Sequence, residues 1–228
     1  MKAQAVQPPQ IPRRLPAEVV RELVAQLELV GVSVTGETFH QQETKDLLFE
    51  QVVFRRSDFS QTKIERVRAT DCRFETCDLS AVNWEKARFK RVALVDCRLL
   101  GAQLPGAQME HLTLHGCNAE SAVLVEAVLR QARFERCNLR QALLEGTDLS
   151  GVVFAQCDLS GASLLGAKMV GTDLRGSNIS GLRIRAGDLR GTIVDPQQAV
   201  QIAGLLGLVV RDVEEDLPGK DEYPEQVE

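Results

Sequence analysis

Apolar residues recur at every fifth position along most of the chain. From Phe49 to Leu189 all 29 positions of this frame are apolar, and only Ala69 and Ala119 among them are small. A period of five fits neither a helix nor a flat strand, so we expect the chain to turn at every repeat. Four repeats then form a square coil, and coils stacked at ~4.8 Å satisfy their backbone hydrogen-bonding groups. The pattern predicts an all-β solenoid of about seven coils over residues 47–194.

A second inward position lies two residues before each apolar centre and mostly holds Cys, Ala, Val, Ser or Thr. Small side chains beside large ones are what a narrow, densely packed interior requires. Of the 17 glycines, 11 lie two residues after a centre, all beyond residue 100. A type II turn needs positive φ at its third residue, which glycine adopts without strain. We therefore expect type II turns to dominate the C-terminal half and other turns the N-terminal half.

All six cysteines occupy the small inward position, and five of them are spaced by 20 residues: Cys77, Cys97, Cys117, Cys137 and Cys157. Such a spacing predicts a column of thiols down one face. A metal wire or a disulfide ladder is one interpretation, and a small apolar filler is the other. The filler is favoured because no histidine or carboxylate stands beside the thiols. We expect no metal and no cofactor.

The N-terminal segments have different patterns from the repeats. Residues 1–15 contain prolines and arginines without an apolar period, which predicts a disordered arm. In residues 16–46, apolar residues at helical spacing follow Pro16 and indicate a helix of about 11 residues. Alternating valines over 30–34 then indicate a short strand. Together these elements predict an N-terminal cap.

The C-terminal segments are a helix and an acidic tail. In residues 195–210, Asp195 and Pro196 have the N-cap and first-turn preferences of a helix start. This helix is apolar on nearly all sides, so it is either an end cap or a dimerisation helix, with the apolar residues Val200, Ile202, Leu205 and Leu206. Residues 211–228 sum to a charge of −6 and predict a disordered acidic tail.

Charge, hydropathy and motifs narrow the function classes. The net charge is −5, yet residues 47–194 sum to +3, so the acidity lies in the tail. No apolar run approaches the ~20 residues of a membrane helix, and no secretory signal begins the chain. These features predict a cytoplasmic protein with no membrane partner. Two observations argue against an enzyme. The chain has only three histidines, among them the outward His111 and His115, and its sequence contains neither a phosphate loop nor a Cys-x-x-Cys motif.

The units C-D-L-S-G, A-S-L-L-G, T-D-L-R-G and S-N-I-S-G resemble those of the pentapeptide repeat proteins, whose repeat is A(D/N)LXX. The resemblance implies a right-handed quadrilateral β-helix, here with small helical caps at both ends. Some members of that family mimic duplex DNA and bind DNA gyrase, which protects the enzyme from topoisomerase poisons. Members of that kind pair through a C-terminal helix, so the resemblance also implies a homodimer.

The four faces of the square coil, numbered 1 to 4 from the centres Phe49, Phe54, Phe59 and Ile64, carry outward charges of +2, +2, −2 and +1. The acidic residues of face 3 are Asp58, Asp78, Glu120 and Asp158, and two arginines interrupt them. A rod that imitates phosphate spacing should be more acidic than this. Face 4 presents the apolar residues Val123, Val125, Leu143 and Leu165, which form either a partner surface or a surface that the caps cover.

These observations favour a non-enzymatic, protein-binding or scaffold protein. The alternative is a DNA-mimicking modulator of DNA gyrase. Direct nucleic-acid binding is disfavoured, because a charge of +3 on the repeats comes without interleaved aromatic residues.

Overall fold

The chain forms a parallel β-solenoid that ends in one short helix. The structure, a computed structural model, describes residues 5–211. The strands in this range are β1 (Ala17–Glu18), β2 (Glu28–Val30), β3 (Ser33–Thr35), β4 (Glu43–Glu50), β5 (Val53–Arg55), β6 (Lys63–Glu75), β7 (Arg88–Val95), β8 (Gln108–His115), β9 (Val128–Arg130), β10 (Arg133–Glu135) and β11 (Val153–Ala155). A 3-10 helix, Ala186–Leu189, and the helix α1, Pro196–Leu205, follow them.

The strand register confirms the coil of 20 residues. Ala69 of β6 pairs in parallel with Phe89 of β7, and Phe89 pairs with Met109 of β8. Isolated parallel bridges continue the same register where the chain makes no longer strand. The stacked rings of Phe54 and Phe74 lie 4.9 Å apart, which is the spacing of neighbouring strands. The result is the predicted solenoid of about seven turns.

The interior holds the five-residue frame, as predicted. Every centre from Phe49 to Ile179 is buried, and the six cysteines of the small inward position are buried beside them. Trp84, the largest centre, donates its indole N–H to the hydroxyl of Thr62 at 3.0 Å. Because this polar group has a partner, the largest side chain fits the narrow core without an unsatisfied donor.

Residues with positive φ turn the chain at the corners. All eleven glycines that follow a centre by two residues have positive φ, from +62° at Gly101 to +78° at Gly191. The N-terminal half differs from expectation, because residues other than glycine adopt positive φ at the same corner, for example Arg66 at +64° and Asp71 at +54°. Arg66 forms an ion pair with Asp46 one coil away.

The helix predicted after Pro16 is absent, and residues 16–46 belong to the solenoid. The backbone N–H of Ser33 donates to the carbonyl of Pro16 at 2.9 Å, and that of Gln26 donates to Lys45 at 3.1 Å. The strand predicted over 30–34 is divided between β2 and β3 by Gly31, whose φ is +65°. A helix of about 11 residues is marginal by itself, whereas pairing with the next coil satisfies the backbone.

The arm predicted to be disordered lies on the solenoid over residues 5–15. Its backbone N–H groups at Gln7 and Gln10 donate to His111 Nδ1 at 3.2 Å and to Asp71 Oδ1 at 2.8 Å. Gln51 in turn donates its side-chain amide to the carbonyl of Gln10. These three partners lie along one corner of the rod, so the arm crosses several coils instead of joining one.

Helix α1 closes the C-terminal end of the core. The side chain of Asp195 accepts the N–H of Gln198, and the backbone N–H groups of Gln198 and Gly176 lower the pKa of Asp195. The buried amide of Gln198 donates to the carbonyls of Leu174 and Ser177 at 2.6 and 2.8 Å. Of the predicted acidic tail, residues 212–228 lie outside the described part of the chain. Across residues 5–211, no helix has the length and apolarity needed to cross a membrane.

Candidate protein-binding surfaces

The apolar residues predicted on face 4 lie together there. Val123 and Leu143 are bridge partners on successive coils, and Val125 and Leu165 lie on the same face two coils apart. Leu143 is the most exposed of the four, at 36%. The hydroxyl of Ser163 donates a hydrogen bond to the carboxylate of Glu145, and these two polar groups form one edge of the patch. Because α1 is anchored at Leu174 and Ser177, it leaves Leu143 exposed.

The acidic residues of face 3 also lie in one column, but their charges are largely engaged. Asp58, Asp78 and Asp158 each accept the backbone N–H of the serine two residues later, at 2.8 to 2.9 Å. Arg98 and Arg140 lie 3.9 Å from Asp78 and Asp158, and Asn138 donates to Glu120.

The charge pattern of face 3 is therefore mixed. Burial acts to raise the pKa of Asp158, but hydrogen bonds from Ser160 and the charge of Arg140 outweigh it and lower that pKa. The carboxylate is thus ionised at neutral pH, with a guanidinium beside it. A continuous negative face, which a phosphate mimic needs, does not result from this arrangement.

The predicted dimer helix presents most of its apolar residues to solvent. Val200 is 52% exposed, Leu205 41% and Leu206 40%. Ile202 instead packs, partly buried, against the core. Exposed large apolar side chains mark candidate interaction sites, and α1 both caps the core through Gln198 and Ile202 and exposes apolar side chains of its own.

The docked N-terminal arm is a surface feature that the sequence reasoning missed. Val53 and Ala93 of face 2 point outward and lie outside the core cluster, yet both are buried. Beside them Arg91 forms a bidentate ion pair with Asp71, with both N–O distances at 2.6 Å. Hydrogen bonding to Arg91 lowers the pKa of Asp71. The sequence did contain a signal that something covers this face. Val53 and Ala93 are apolar residues at outward positions of face 2, two coils apart.

Two groups that the sequence singled out, His111 and the six cysteines, are buried in this fold. His111, expected at the surface, is buried and bound to the arm through Gln7, and this contact separates it from solvent. All six cysteines are free and buried, and burial raises the pKa of Cys72 to about 12. The neighbouring thiol of Cys97, together with burial, raises the pKa of Cys77 as well. Burial of this kind keeps the Cys72 thiol protonated, and a protonated thiol is a poor nucleophile and metal ligand.

In the described residues, the thiols of the five-cysteine column form hydrogen bonds with backbone carbonyls and contact one another. The Cys97 thiol, for example, donates to the carbonyls of Phe74 and Val95 at 3.5 and 3.4 Å. In the described range 5–211, no group of three or more His, Cys, Asp or Glu residues is arranged to hold a metal ion.

Comparison with known families gives two matches. A family model described as a pentapeptide repeat region matches residues 67–144 and 89–164, and one described as pentapeptide repeats (8 copies) matches residues 153–193. Together they cover more than half of the chain. No curated protein matches the sequence.

The solved structures that match this chain have low sequence identity to it. A trypsin-treated variant of QnrB1, a plasmid-mediated fluoroquinolone resistance protein, is 20% identical over 82% of this chain and 99% of its own, with a TM-score of 0.37. HetL from Nostoc sp. strain PCC 7120, involved in heterocyst differentiation regulation, is 21% identical over 74% and 87%, with a TM-score of 0.35. Rfr23 from Cyanothece 51142 is 16% identical over 77% and 92%, with a TM-score of 0.19.

Proposed function

Because the chain belongs to the pentapeptide repeat family, we propose that it acts as a non-enzymatic protein-binding scaffold, a rigid rod that pairs with a second copy through helix α1. The observation that carries the proposal is the exposure of Val200, Leu205 and Leu206 on, and at the C-terminal end of, a helix that Gln198 anchors to the core. An end cap alone would be expected to bury its large apolar residues or replace them with polar ones.

Face 4 supports binding of a protein partner along the rod. Val123, Leu143 and Leu165 give it an apolar centre, and the Ser163–Glu145 hydrogen bond gives it a polar margin. An apolar centre with a polar rim is the usual arrangement of a protein interface. The strand ladder holds these side chains in fixed positions, so a partner would meet little conformational change.

We favour protein binding over the alternative of gyrase modulation by DNA mimicry. The carboxylates of face 3 accept backbone N–H groups and lie beside Arg98 and Arg140. An enzyme is disfavoured because the thiols and His111 are covered. We further propose a cytoplasmic location, where a reducing environment keeps six thiols free.

The dimer is tested by measuring molar mass with light scattering after size exclusion. We expect a dimer for the wild type, a monomer for the double variant Val200→Ser/Leu206→Ser, and a dimer for the control Val170→Ser. Val170 is 62% exposed on face 1, so its replacement removes a comparable apolar group elsewhere. A monomeric wild type at about 100 μM, a concentration at which a micromolar interface is saturated, would refute pairing through α1.

The partner surface is tested by affinity capture with two matched variants. Leu143→Asp places a charge in the face 4 patch, whereas Leu100→Asp makes the same change at an exposed leucine on face 3. We expect a specific protein to bind the wild type and Leu100→Asp and to be lost with Leu143→Asp. Equal capture by the two variants would remove face 4 as the binding surface.

A further inference from the structure

Face 1 contains a groove with an excess of positive charge. Its volume is about 440 Å³, and it crosses strands β6, β7, β8 and β9. Its basic lining residues are Arg68, Arg88, Lys90 and Arg130, and Glu110 is its one acidic lining residue. Phe89 and Met109 form the floor, where both are buried.

The four basic side chains of the groove have no carboxylate partner. Within residues 5–211, none of them lies within 4.0 Å of an acidic oxygen, whereas nearby corner residues such as Arg66 and Arg91 each pair with an aspartate one coil earlier. The repeating coil gives every residue a neighbour 20 positions away. Glu110 is that neighbour for both Lys90 and Arg130, although neither cation lies within 4.0 Å of its carboxylate. Arg68 and Arg88 have no acidic residue one coil away.

The strand register also places two positive charges directly opposite each other. Arg68 and Arg88 are direct partners across the β6–β7 ladder, at the strand spacing of ~4.8 Å. Like charges placed directly opposite destabilise a sheet. Arg88 has Gln108 as its partner on the next coil, so no neighbour in this column offsets the repulsion. A bound anion would relieve it.

We propose that this groove binds the acidic C-terminal segment of the same chain, residues 212–228. The segment contains eight Asp and Glu residues and a single lysine, whereas the groove has an excess of three positive charges. Extended at ~3.3 Å per residue, its 17 residues reach about 56 Å. The groove begins three coils from the C-terminal end at Arg130 and ends six coils away at Arg68, which is about 14 to 29 Å along the rod.

An acidic peptide fits the groove better than a single-stranded nucleic acid does. Single-stranded nucleic acids need exposed aromatic rings on which bases stack, and the one aromatic residue of the lining, Phe89, is buried. Covalent attachment also favours the chain's own segment, because a short linker gives an effective concentration in the millimolar range.

Carbodiimide cross-linking of the full chain followed by mass spectrometry tests the proposal. The reagent joins a lysine amine to a carboxylate in contact with it, so we expect links from Lys90 to acidic residues of 212–228. Lys63 on face 4 is an exposed lysine that already pairs with Glu43 and provides the comparison. The yield should fall about tenfold between 0.05 and 0.5 M NaCl, because exposed charges are screened.

Variants and isotopes separate the possible occupants. Arg68→Ser/Arg88→Ser should lose the Lys90 links, whereas the control Arg183→Ser/Arg185→Ser, which removes two exposed arginines of face 4, should keep them. No link from Lys90, or equal links from Lys63 and Lys90, would overturn the proposal. Links between ¹⁵N-labelled and unlabelled chains would assign the groove to a second copy and overturn binding within one chain.

Nucleic acid as the occupant gives a different result. Binding of a duplex of about 20 base pairs to the full chain that is lost in Arg68→Ser/Arg88→Ser, without Lys90 links to the tail, would identify a nucleic-acid site instead. The outcome of this test does not depend on the proposed dimer. A monomer that shows the Lys90 links would refute pairing through α1 but would support binding of the acidic segment in the groove.

Discussion

Gln198 connects the cap helix to the solenoid, and its replacement should undock the helix. The buried amide donates to the carbonyls of Leu174 and Ser177, and its oxygen accepts the backbone N–H of Asp195 at 3.0 Å. In Gln198→Met the side chain keeps its length and buries an apolar group, but all three hydrogen bonds are lost. The carbonyls of the last coil then remain covered without a donor.

The magnitude follows from these three contacts. A net hydrogen bond contributes about 0.5–1.5 kcal/mol, and a carbonyl left buried without a partner costs about 1–3 kcal/mol. Retained burial of the methionine offsets part of the loss. We therefore expect the docking free energy of α1 to fall by about 2–4 kcal/mol, of which 1.4 kcal/mol corresponds to a tenfold change in the docking equilibrium.

Amide hydrogen exchange measures this change directly. The backbone amides of α1 that follow Pro196 should exchange roughly 30-fold faster or more in Gln198→Met, while amides of β6 to β8 keep their rates. The control is Gln201→Met, which makes the same substitution at an exposed position of the same helix. Similar exchange in the two variants would show that the Gln198 hydrogen bonds do not hold the helix and would refute the reasoning.

Three further predictions concern the core, the arm and the alternative function. Thr62→Val leaves the indole N–H of Trp84 without a partner and should cost about 2–4 kcal/mol of unfolding free energy in urea, against about 1 kcal/mol for the control Thr147→Val, whose hydroxyl bonds only a carbonyl. Equal costs would contradict the role of the indole. The ion pair with Arg91 lowers the pKa of Asp71, so this stabilisation is present above the ordinary pKa of about 3.9 and is lost as the pH falls through the lower, folded value. The N-terminal arm should accordingly loosen only below that pH, seen as new backbone amide signals of residues 5–15, and a transition at pH 5–6 would argue against this anchor. In a gyrase supercoiling assay with and without a quinolone, we expect neither inhibition nor protection, and protection at micromolar protein would revive DNA mimicry.

The candidate surfaces were predictable to different degrees. The columns of face 3 and face 4 could be predicted from numbering alone, because residues 20 apart share a face once the coil length is known. Which side of α1 faces the core could not, since Val200 and Ile202 are equally apolar and only the docking contact of Gln198 distinguishes them.

The five-residue apolar period by itself determined the coil, its register and its core. Each centre from Phe49 to Ile179 is buried where the frame places it, and Gly101 through Gly191 turn the corners with positive φ. This succeeds because a solenoid repeats one local unit, and each unit contacts only its neighbours.

The tertiary structure alone decided what covers the outside. The contact between Gln7 and His111 joins residues 104 apart, and no period in the sequence relates them. Residues after Pro16 carry a helical spacing, yet the neighbouring coil offers their backbone better partners than a short helix does. Outward side chains pair within their own coil, with a residue one coil away, or with a segment that docks from a distance. Asp71 therefore holds the arm, while Arg68 and Arg88 face each other without an acid.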